Sequence, residues 1–300
     1  MPRAQTNNIE LEYETFGNPA DPAILLIMGL GGQLILWPED FCRLLAQAGY
    51  FVIRYDNRDI GLSSKMQDAG RTRLMRAGLR AALGLKVQAP YTLDDMARDA
   101  VGLLDTLKIE RAHVVGVSMG GMIAQLLAAH YPRRVDRLVL WMTTSGNPRL
   151  PGPSLKLRLR LVKRPKHTDR ESMIRHSMET WRLIGSPKFP PDPATLRDKV
   201  ERSFDRAFYP PGLARQTLAI IASGNRVLLL RRIIAPTLIL HGADDPLVPV
   251  HGAHDLARHI PGARMEVIPG MGHDLPTTLL PRLGRMILDH LQRSEPRAAA

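Results

Sequence analysis

The chain has 300 residues, of which 44% are hydrophobic and 23% charged, a composition that excludes a disordered or collagen-like protein. Its only cysteine, Cys42, excludes an intrachain disulfide framework. The net charge of +12 suggests anionic partners, but aromatic residues are only 5% and no recognition motif is present, so we expect no nucleic acid among them. The first residues contain no apolar secretory region, and the longest apolar stretch, residues 23–30, is far shorter than the roughly 20 residues of a membrane span. We therefore expect a cytoplasmic protein.

Apolar runs alternate with helix-like stretches along most of the chain. Residues 9–17 alternate polar and apolar side chains, which predicts an antiparallel edge strand or hairpin. Continuous apolar runs predict buried strands at residues 23–29, 50–56, 112–118, 137–144, 236–242 and 264–270. Helices are predicted at residues 37–49, 91–107, 120–132, 248–262 and 275–294, the second starting with a capping box at Thr92 and Asp95. This alternation predicts an α/β fold with a mostly parallel central sheet flanked by helices.

The alternation breaks between residues 146 and 232. Proline-rich turns there separate helix-like pieces such as residues 169–184, which indicates a helical insertion between two strands of the sheet. We therefore predict a core of residues 1–145 and 233–292, a helical cap of residues 146–232, and a flexible tail of residues 293–300.

The segment from Gly116 to Gly120 reads Gly-Val-Ser-Met-Gly and matches G-x-S-x-G at the junction of a predicted strand and a predicted helix. Its glycines let neighbouring chain pass the turn without a Cβ clash. A serine in such a turn projects its hydroxyl above the sheet, so we predict that Ser118 is a nucleophile.

A serine hydroxyl attacks an ester at neutral pH only when a base takes its proton, and the usual base is a histidine held by a carboxylate. Among ten histidines, His273 stands out because it lies in a glycine-containing loop before the C-terminal helix. His130 is interpreted as a helix-terminal residue. His251 and His254 have the spacing of metal ligands, but no third ligand is evident, so we predict a solvated helix face and no metal site.

The carboxylate should follow a strand between the serine and the histidine. In proteins whose nucleophile lies in a G-x-S-x-G turn, the triad residues follow the order Ser, Asp, His along the chain. The segment after the strand at 236–242 offers both Asp244 and Asp245. The oxyanion needs backbone amides, and the candidates are Met119, directly after the nucleophile, and Leu30 in the glycine loop of residues 29–32.

Four segments in chain order, LIMGLGG, RYDNRDIGLSS, YTLDDMARDAVGLLD and HVVGVSMGG, resemble the α/β-hydrolase superfamily, and in particular bacterial serine carboxylesterases of the aclacinomycin methylesterase type. The resemblance extends over about residues 9–292. It implies that Asp245 is the acid of the triad, that Asp59 forms a structural turn, and that no metal or cofactor is needed. It also implies that residues 146–232 are the cap that sets the substrate.

These observations predict a serine carboxylesterase that hydrolyses small carboxylic esters through an acyl-enzyme formed by Ser118, Asp245 and His273. An acyltransferase or perhydrolase would use the same residues. An aminopeptidase would need an acidic group in the cap, where Glu171 and Glu179 are present but basic residues predominate. A dehalogenase or epoxide hydrolase would usually have Asp at position 118, and a non-catalytic binding protein of this fold usually lacks part of the triad.

The positive charge is concentrated in two segments. Residues 71–86 carry five basic and no acidic residues, and residues 146–215 carry 16 basic and seven acidic residues. In both segments basic residues are interspersed with leucines. We expect these leucines to pack over the acyl pocket, with transient contact with an anionic membrane surface as the alternative.

Overall fold

The computed structural model describes residues 2–67, 73–163 and 167–293, except the side chain of Val162. Within them, one sheet contains the strands β1 (Arg3–Thr6), β2 (Ile9–Phe16), β3 (Ala23–Ile27), β4 (Phe51–Tyr55), β5 (Ala112–Val117), β6 (Val135–Trp141), β7 (Thr237–Gly242) and β8 (Arg264–Ile268). Their order is β1-β2-β4-β3-β5-β6-β7-β8. The hairpin β1–β2 and the pair β2–β4 are antiparallel, and all other pairs are parallel. The predicted mostly parallel sheet with an antiparallel N-terminal edge is confirmed.

The helices of the described segments are α1 (Glu39–Gln47), α2 (Leu74–Ala82), α3 (Leu93–Thr106), α4 (Met119–His130), α5 (Leu155–Val162), α6 (Arg170–Ile184), α7 (Pro193–Arg206), α8 (Pro210–Ser223), α9 (Val227–Leu230), α10 (His251–His259) and α11 (Leu280–Gln292). The predicted capping box starts α3: the Thr92 hydroxyl accepts from the Asp95 amide, and the Asp95 carboxylate accepts from the Thr92 amide. None of these helices is long and apolar enough to cross a membrane.

The two faces of the sheet carry separate apolar cores. In β3, Leu25 and Ile27 belong to one core, which also contains side chains of α3 and α4, whereas Ile24 and Leu26 belong to the other, which contains side chains of α1 and α11. Because both faces of the sheet are covered, successive residues of a central strand are apolar whichever face they point to. This explains the continuous apolar runs in the sequence.

The helices α5 to α9 lie between β6 and β7 in the chain, within the segment predicted as an insertion. Ile174 and Met178 of α6 pack with Leu196 and Val200 of α7 in a small apolar cluster of their own. The tail predicted for residues 293–300 lies outside the described residues apart from Arg293, and so do residues 71–72 and 164–166 of the basic segments.

Candidate active site

Ser118 occupies the turn between β5 and α4 with backbone angles of φ 53° and ψ −120°. A positive φ is costly for a residue with a Cβ atom, about 1–3 kcal/mol, and such strain persists only where the surroundings enforce it. Here the Ser118 amide donates to the Trp141 carbonyl (2.9 Å), and the Thr143 hydroxyl donates to the Ser118 carbonyl (2.7 Å). The strained conformation is therefore held from the neighbouring strand β6 and the residues after it.

Glycine is required on both sides of this turn. A Cβ atom on Gly116 would lie 2.4 Å from the Gly120 carbonyl oxygen, and one on Gly120 would lie 2.1 Å from the Ile27 carbonyl oxygen. No neighbour in these contacts is a flexible side chain that could move away. The two glycines of the motif thus allow α4 to start directly against β5 and the end of β3.

The structure brings Ser118, His273 and Asp245 together. The His273 Nε2 atom lies 3.0 Å from the Ser118 Oγ atom, and its Nδ1 atom lies 2.7 Å from the Asp245 Oδ2 atom. His273 is in the loop between β8 and α11, and its amide donates to the Ile184 carbonyl (2.7 Å) at the end of α6. His273 and Asp245 are buried, and Ser118 is half-buried.

The Asp245 carboxylate follows β7 and is held by several donors. Its Oδ1 atom accepts from the amides of Leu247 (2.9 Å) and Val248 (2.8 Å), which leaves Oδ2 for His273. Burial by itself would raise the pKa of Asp245, but the electrostatic attraction and hydrogen bond of His273, the neighbouring His241 and the Val248 amide outweigh it and lower the pKa to about 2. The carboxylate is therefore ionised at neutral pH.

Asp244 has a different position. Its exposed side chain accepts from the Gly270 amide (2.7 Å), and its own amide donates to the Met271 carbonyl (3.0 Å). These bonds tie the loop after β7 to the loop that carries His273. Of the two aspartates suggested by the sequence, Asp245 is the one in contact with His273.

The loop after β3 passes close to the serine. A Cβ atom on Gly29 would lie 3.1 Å from the Ser118 Cβ atom, so the chain at Gly29, directly before Leu30, packs against the turn. The amide of Gly31 donates to the Gln216 side chain of α8 (2.9 Å), which anchors the loop. Within the described residues, the structure shows no hydrogen-bond acceptor for the backbone amides of Leu30 and Met119.

Two groups around His273 were missed by the sequence reasoning. The buried His241 Nε2 atom donates to the Val248 carbonyl (2.7 Å) and lies 3.5 Å from the Asp245 Oδ2 atom. The Ser186 hydroxyl accepts from the Gly272 amide (2.9 Å) and donates to the buried Asp274 carboxylate. A polar residue near the end of an otherwise apolar strand was a usable signal for His241, whereas nothing local marks Ser186.

The remaining sequence candidates lie elsewhere. His130 is the last residue of α4, as interpreted from the sequence, and its Nε2 atom is 3.2 Å from an Asp94 carboxylate oxygen. His251 and His254 are exposed on α10. Over residues 2–67, 73–163 and 167–293, no group of three or more His, Cys, Asp or Glu side chains is arranged to hold a metal ion.

Asp59, for which the resemblance implies a structural turn, adopts the left-handed conformation with φ 71°. Its carboxylate accepts two hydrogen bonds from Arg215 of α8, both 2.8 Å, and both side chains are buried. The turn therefore joins the core to a helix of the insertion, in keeping with a structural role.

Comparison with known proteins agrees with the fold. A family model described as alpha/beta hydrolase fold matches residues 22–276. A rhodomycin D methylesterase from a Streptomyces species is 32% identical, with 95% of each chain covered, and a 3-oxoadipate enol-lactonase from Acinetobacter baylyi is 28% identical over 87% of this chain and 85% of its own. The crystal structure of an enol-lactonase from Burkholderia xenovorans superposes with a TM-score of 0.76 at 25% identity, covering 97% of this chain and all of the other. The chain belongs to the α/β-hydrolase fold family.

Proposed function

We propose that this carboxylic ester hydrolase acts through an acyl-enzyme, with Ser118 as the nucleophile, His273 as the general base and Asp245 as the group that orients His273. The observation that carries the proposal is the chain of hydrogen bonds from the Ser118 hydroxyl through the His273 ring to the Asp245 carboxylate, 3.0 and 2.7 Å long. The strained backbone of Ser118, the first residue in this series of hydrogen bonds, has no evident structural purpose, and this favours a catalytic role.

The proposed reaction has two halves. In the first, the ionised Asp245 holds the Nδ1 proton of His273, so that Nε2 takes the proton of the Ser118 hydroxyl while its oxygen attacks the acyl carbon. Collapse of the tetrahedral intermediate expels the alcohol, which receives the proton from Nε2. In the second half, Nε2 takes a proton from water, the hydroxide attacks the acyl-enzyme, and the acid leaves as Ser118 regains its proton.

The negative charge of each tetrahedral intermediate falls on the former carbonyl oxygen. We assign its stabilisation to the backbone amides of Leu30 and Met119, which lie on the two chain segments that meet at Ser118. One such donor typically contributes about 10²–10³ in rate. Met119 is also the first residue of α4, so the positive end of the helix dipole supports the same charge.

The relatives also support a proposal for the substrate class. The methylesterase likeness makes methyl esters of small carboxylic acids the first substrates to test, and we propose the helices of residues 146–232 as the cap that selects among them. An aminopeptidase is less well supported. A cap glutamate would have to bind the substrate ammonium group, but Glu171 and Glu201 are paired with Arg197, and Glu179 with Arg160.

The test is hydrolysis of p-nitrophenyl acetate and butyrate, together with methyl esters, by wild type and Ser118→Ala. We expect the variant to lose at least about 10³-fold in kcat and to resist labelling by a fluorophosphonate. Ser177→Ala is the matched control, because that hydroxyl only donates to the Met173 carbonyl within α6. Wild-type turnover by Ser118→Ala would refute the proposal.

A further inference from the structure

The outer face of α2 is apolar. Met75, Leu79 and Leu83 follow one another at intervals of four residues, which places them on one side of the helix, and their exposed fractions are 93%, 63% and 65%. The opposite side carries the buried Ala77, and the helix packs against α8. A solvent-facing row of large apolar side chains is unusual on a surface helix, which normally turns such a row toward the core.

Basic side chains border this row. Arg73, Arg76, Arg80 and Lys86 are basic, and no acidic residue occurs between residues 73 and 90. At about 100° per residue, Arg76 and Arg80 lie beside Met75 and Leu79 along one flank of the helix. The apolar row and the cations therefore share one exposed side.

The helix α5 repeats this arrangement. Leu155 and Leu159, one turn apart, are 72% and 61% exposed, whereas Leu157 is buried. Lys156 and Arg158 lie between the two exposed leucines in sequence, and no acidic residue occurs in residues 155–163. The expectation that the leucines of both basic segments pack over the acyl pocket is therefore wrong for most of them, because their side chains face solvent.

The chain leads into both helices from the edge of the sheet where Ser118 is found. The chain reaches α2 after the carboxyl end of β4 and α5 after the carboxyl end of β6, and parallel strands bring these ends to one edge. The helix α8, on which α2 packs, also contacts the loop beside Ser118, since Gln216 accepts from the Gly31 amide.

We propose that α2 and α5 form a docking surface for an anionic lipid bilayer, which goes beyond the proposed hydrolase activity. The exposed leucines and Met75 enter the boundary between headgroups and acyl chains, and the arginines and lysines meet the lipid phosphates. A second copy of the chain fits less well, because two acid-free basic helices would repel each other. Nucleic acid would engage the cations but leave the apolar rows in water.

The experiment is co-sedimentation with vesicles of phosphatidylglycerol and phosphatidylcholine (1:1) and with vesicles of phosphatidylcholine alone, at low and high NaCl. We expect binding to the anionic vesicles at low salt, release at high salt, and little binding to neutral vesicles. The double variants Leu79→Ser with Leu83→Ser, and Arg76→Gln with Arg80→Gln, should each lower the bound fraction at least about fivefold. Leu228→Ser is the matched control, because Leu228 is 78% exposed, more than Leu79 or Leu83, but lies on α9.

Hydrolysis of a soluble p-nitrophenyl ester should be unchanged in all variants, which shows that they are folded and separates this test from that of the triad. Equal binding to both kinds of vesicle, or none to the anionic kind, would overturn the proposal. So would a wild-type dimer that the paired leucine variant dissociates without any vesicle binding.

Discussion

At the scale of single residues, the arrangement around Asp245 separates two neighbouring carboxylates by their partners. Asp245 is buried and receives two backbone amides as well as His273, whereas Asp244 is exposed and receives the Gly270 amide. The first arrangement stabilises an ionised carboxylate directed at an imidazole. The second fastens one loop to another.

The two aspartates should therefore respond differently to substitution. Asp245→Asn is expected to lower kcat by about 10⁴, because an amide that donates to Nδ1 would favour the wrong tautomer of His273. Asp244→Asn keeps an acceptor for the Gly270 amide and should cost less than about threefold in kcat, within the range of a surface change. Steady-state kinetics on p-nitrophenyl butyrate measures both, and a larger loss in Asp244→Asn would contradict the proposed roles.

At the scale of elements, the junction of β5 and α4 is closely packed, backbone against backbone. The helix starts so close to the sheet that the first turn leaves no space for side chains at its glycines. The position of Ser118 above the sheet is thus a consequence of backbone packing between β3, β5 and α4. A change in that packing should act on stability and on catalysis together.

Gly120→Ala tests this. The added methyl group would meet the Ile27 carbonyl oxygen at 2.1 Å, so we expect a loss of about 3 kcal/mol or more in the free energy of unfolding. Gly78→Ala in α2 is the control, because nothing lies within 4 Å of its added methyl group. That variant should gain about 0.5–1 kcal/mol from helix propensity. Urea unfolding measures both, and equal stability of the two variants would argue against a packed junction.

At the scale of the whole molecule, the apolar cores on the two faces of the sheet bury titratable side chains that are not part of the active site. His290 of α11 is buried and lies 3.2 Å from the Pro236 carbonyl, and burial lowers its pKa to about 4. Burial likewise lowers the pKa of His113 in β5 to about 4. Both rings are neutral in the folded protein at pH 6 and become charged at that pH only when the chain unfolds.

Stability should therefore fall in mild acid. The pKa of each buried histidine in the folded chain lies below its unfolded value of about 6.5. The free energy of unfolding is therefore unaffected by these rings above pH 6.5 and decreases as the pH falls toward 4, because the unfolded chain binds more protons. For His290 the loss between pH 7.5 and 5 should be about 2 kcal/mol. Urea unfolding of wild type and His290→Gln at both pH values measures it, since glutamine retains a donor but does not titrate.

The control for that experiment is His251→Gln, because His251 is exposed on α10. This variant should keep the wild-type pH dependence, whereas His290→Gln should show a smaller loss in acid. An identical pH dependence in all three proteins would mean that His290 does not contribute.

Local residue types are enough to predict the sheet and the turn that carries Ser118. Strands covered on both faces must be apolar throughout, and a turn that brings a helix against a strand must be flanked by glycine, so both features are written in local residue types. The positions after predicted strands point to Ser118 and His273 but leave Asp244 and Asp245 as alternatives for the acid, and the resemblance to α/β-hydrolases chooses Asp245.

Contacts between distant segments become visible only in the folded chain. Ser186 reaches the loop that carries His273, and Arg215 reaches Asp59, across 86 and 156 residues of sequence. The outward direction of the leucines in α2 and α5 was decided in the same way. An amphipathic pattern shows that a helix has an apolar side, but whether that side is covered depends on what the rest of the chain places against it.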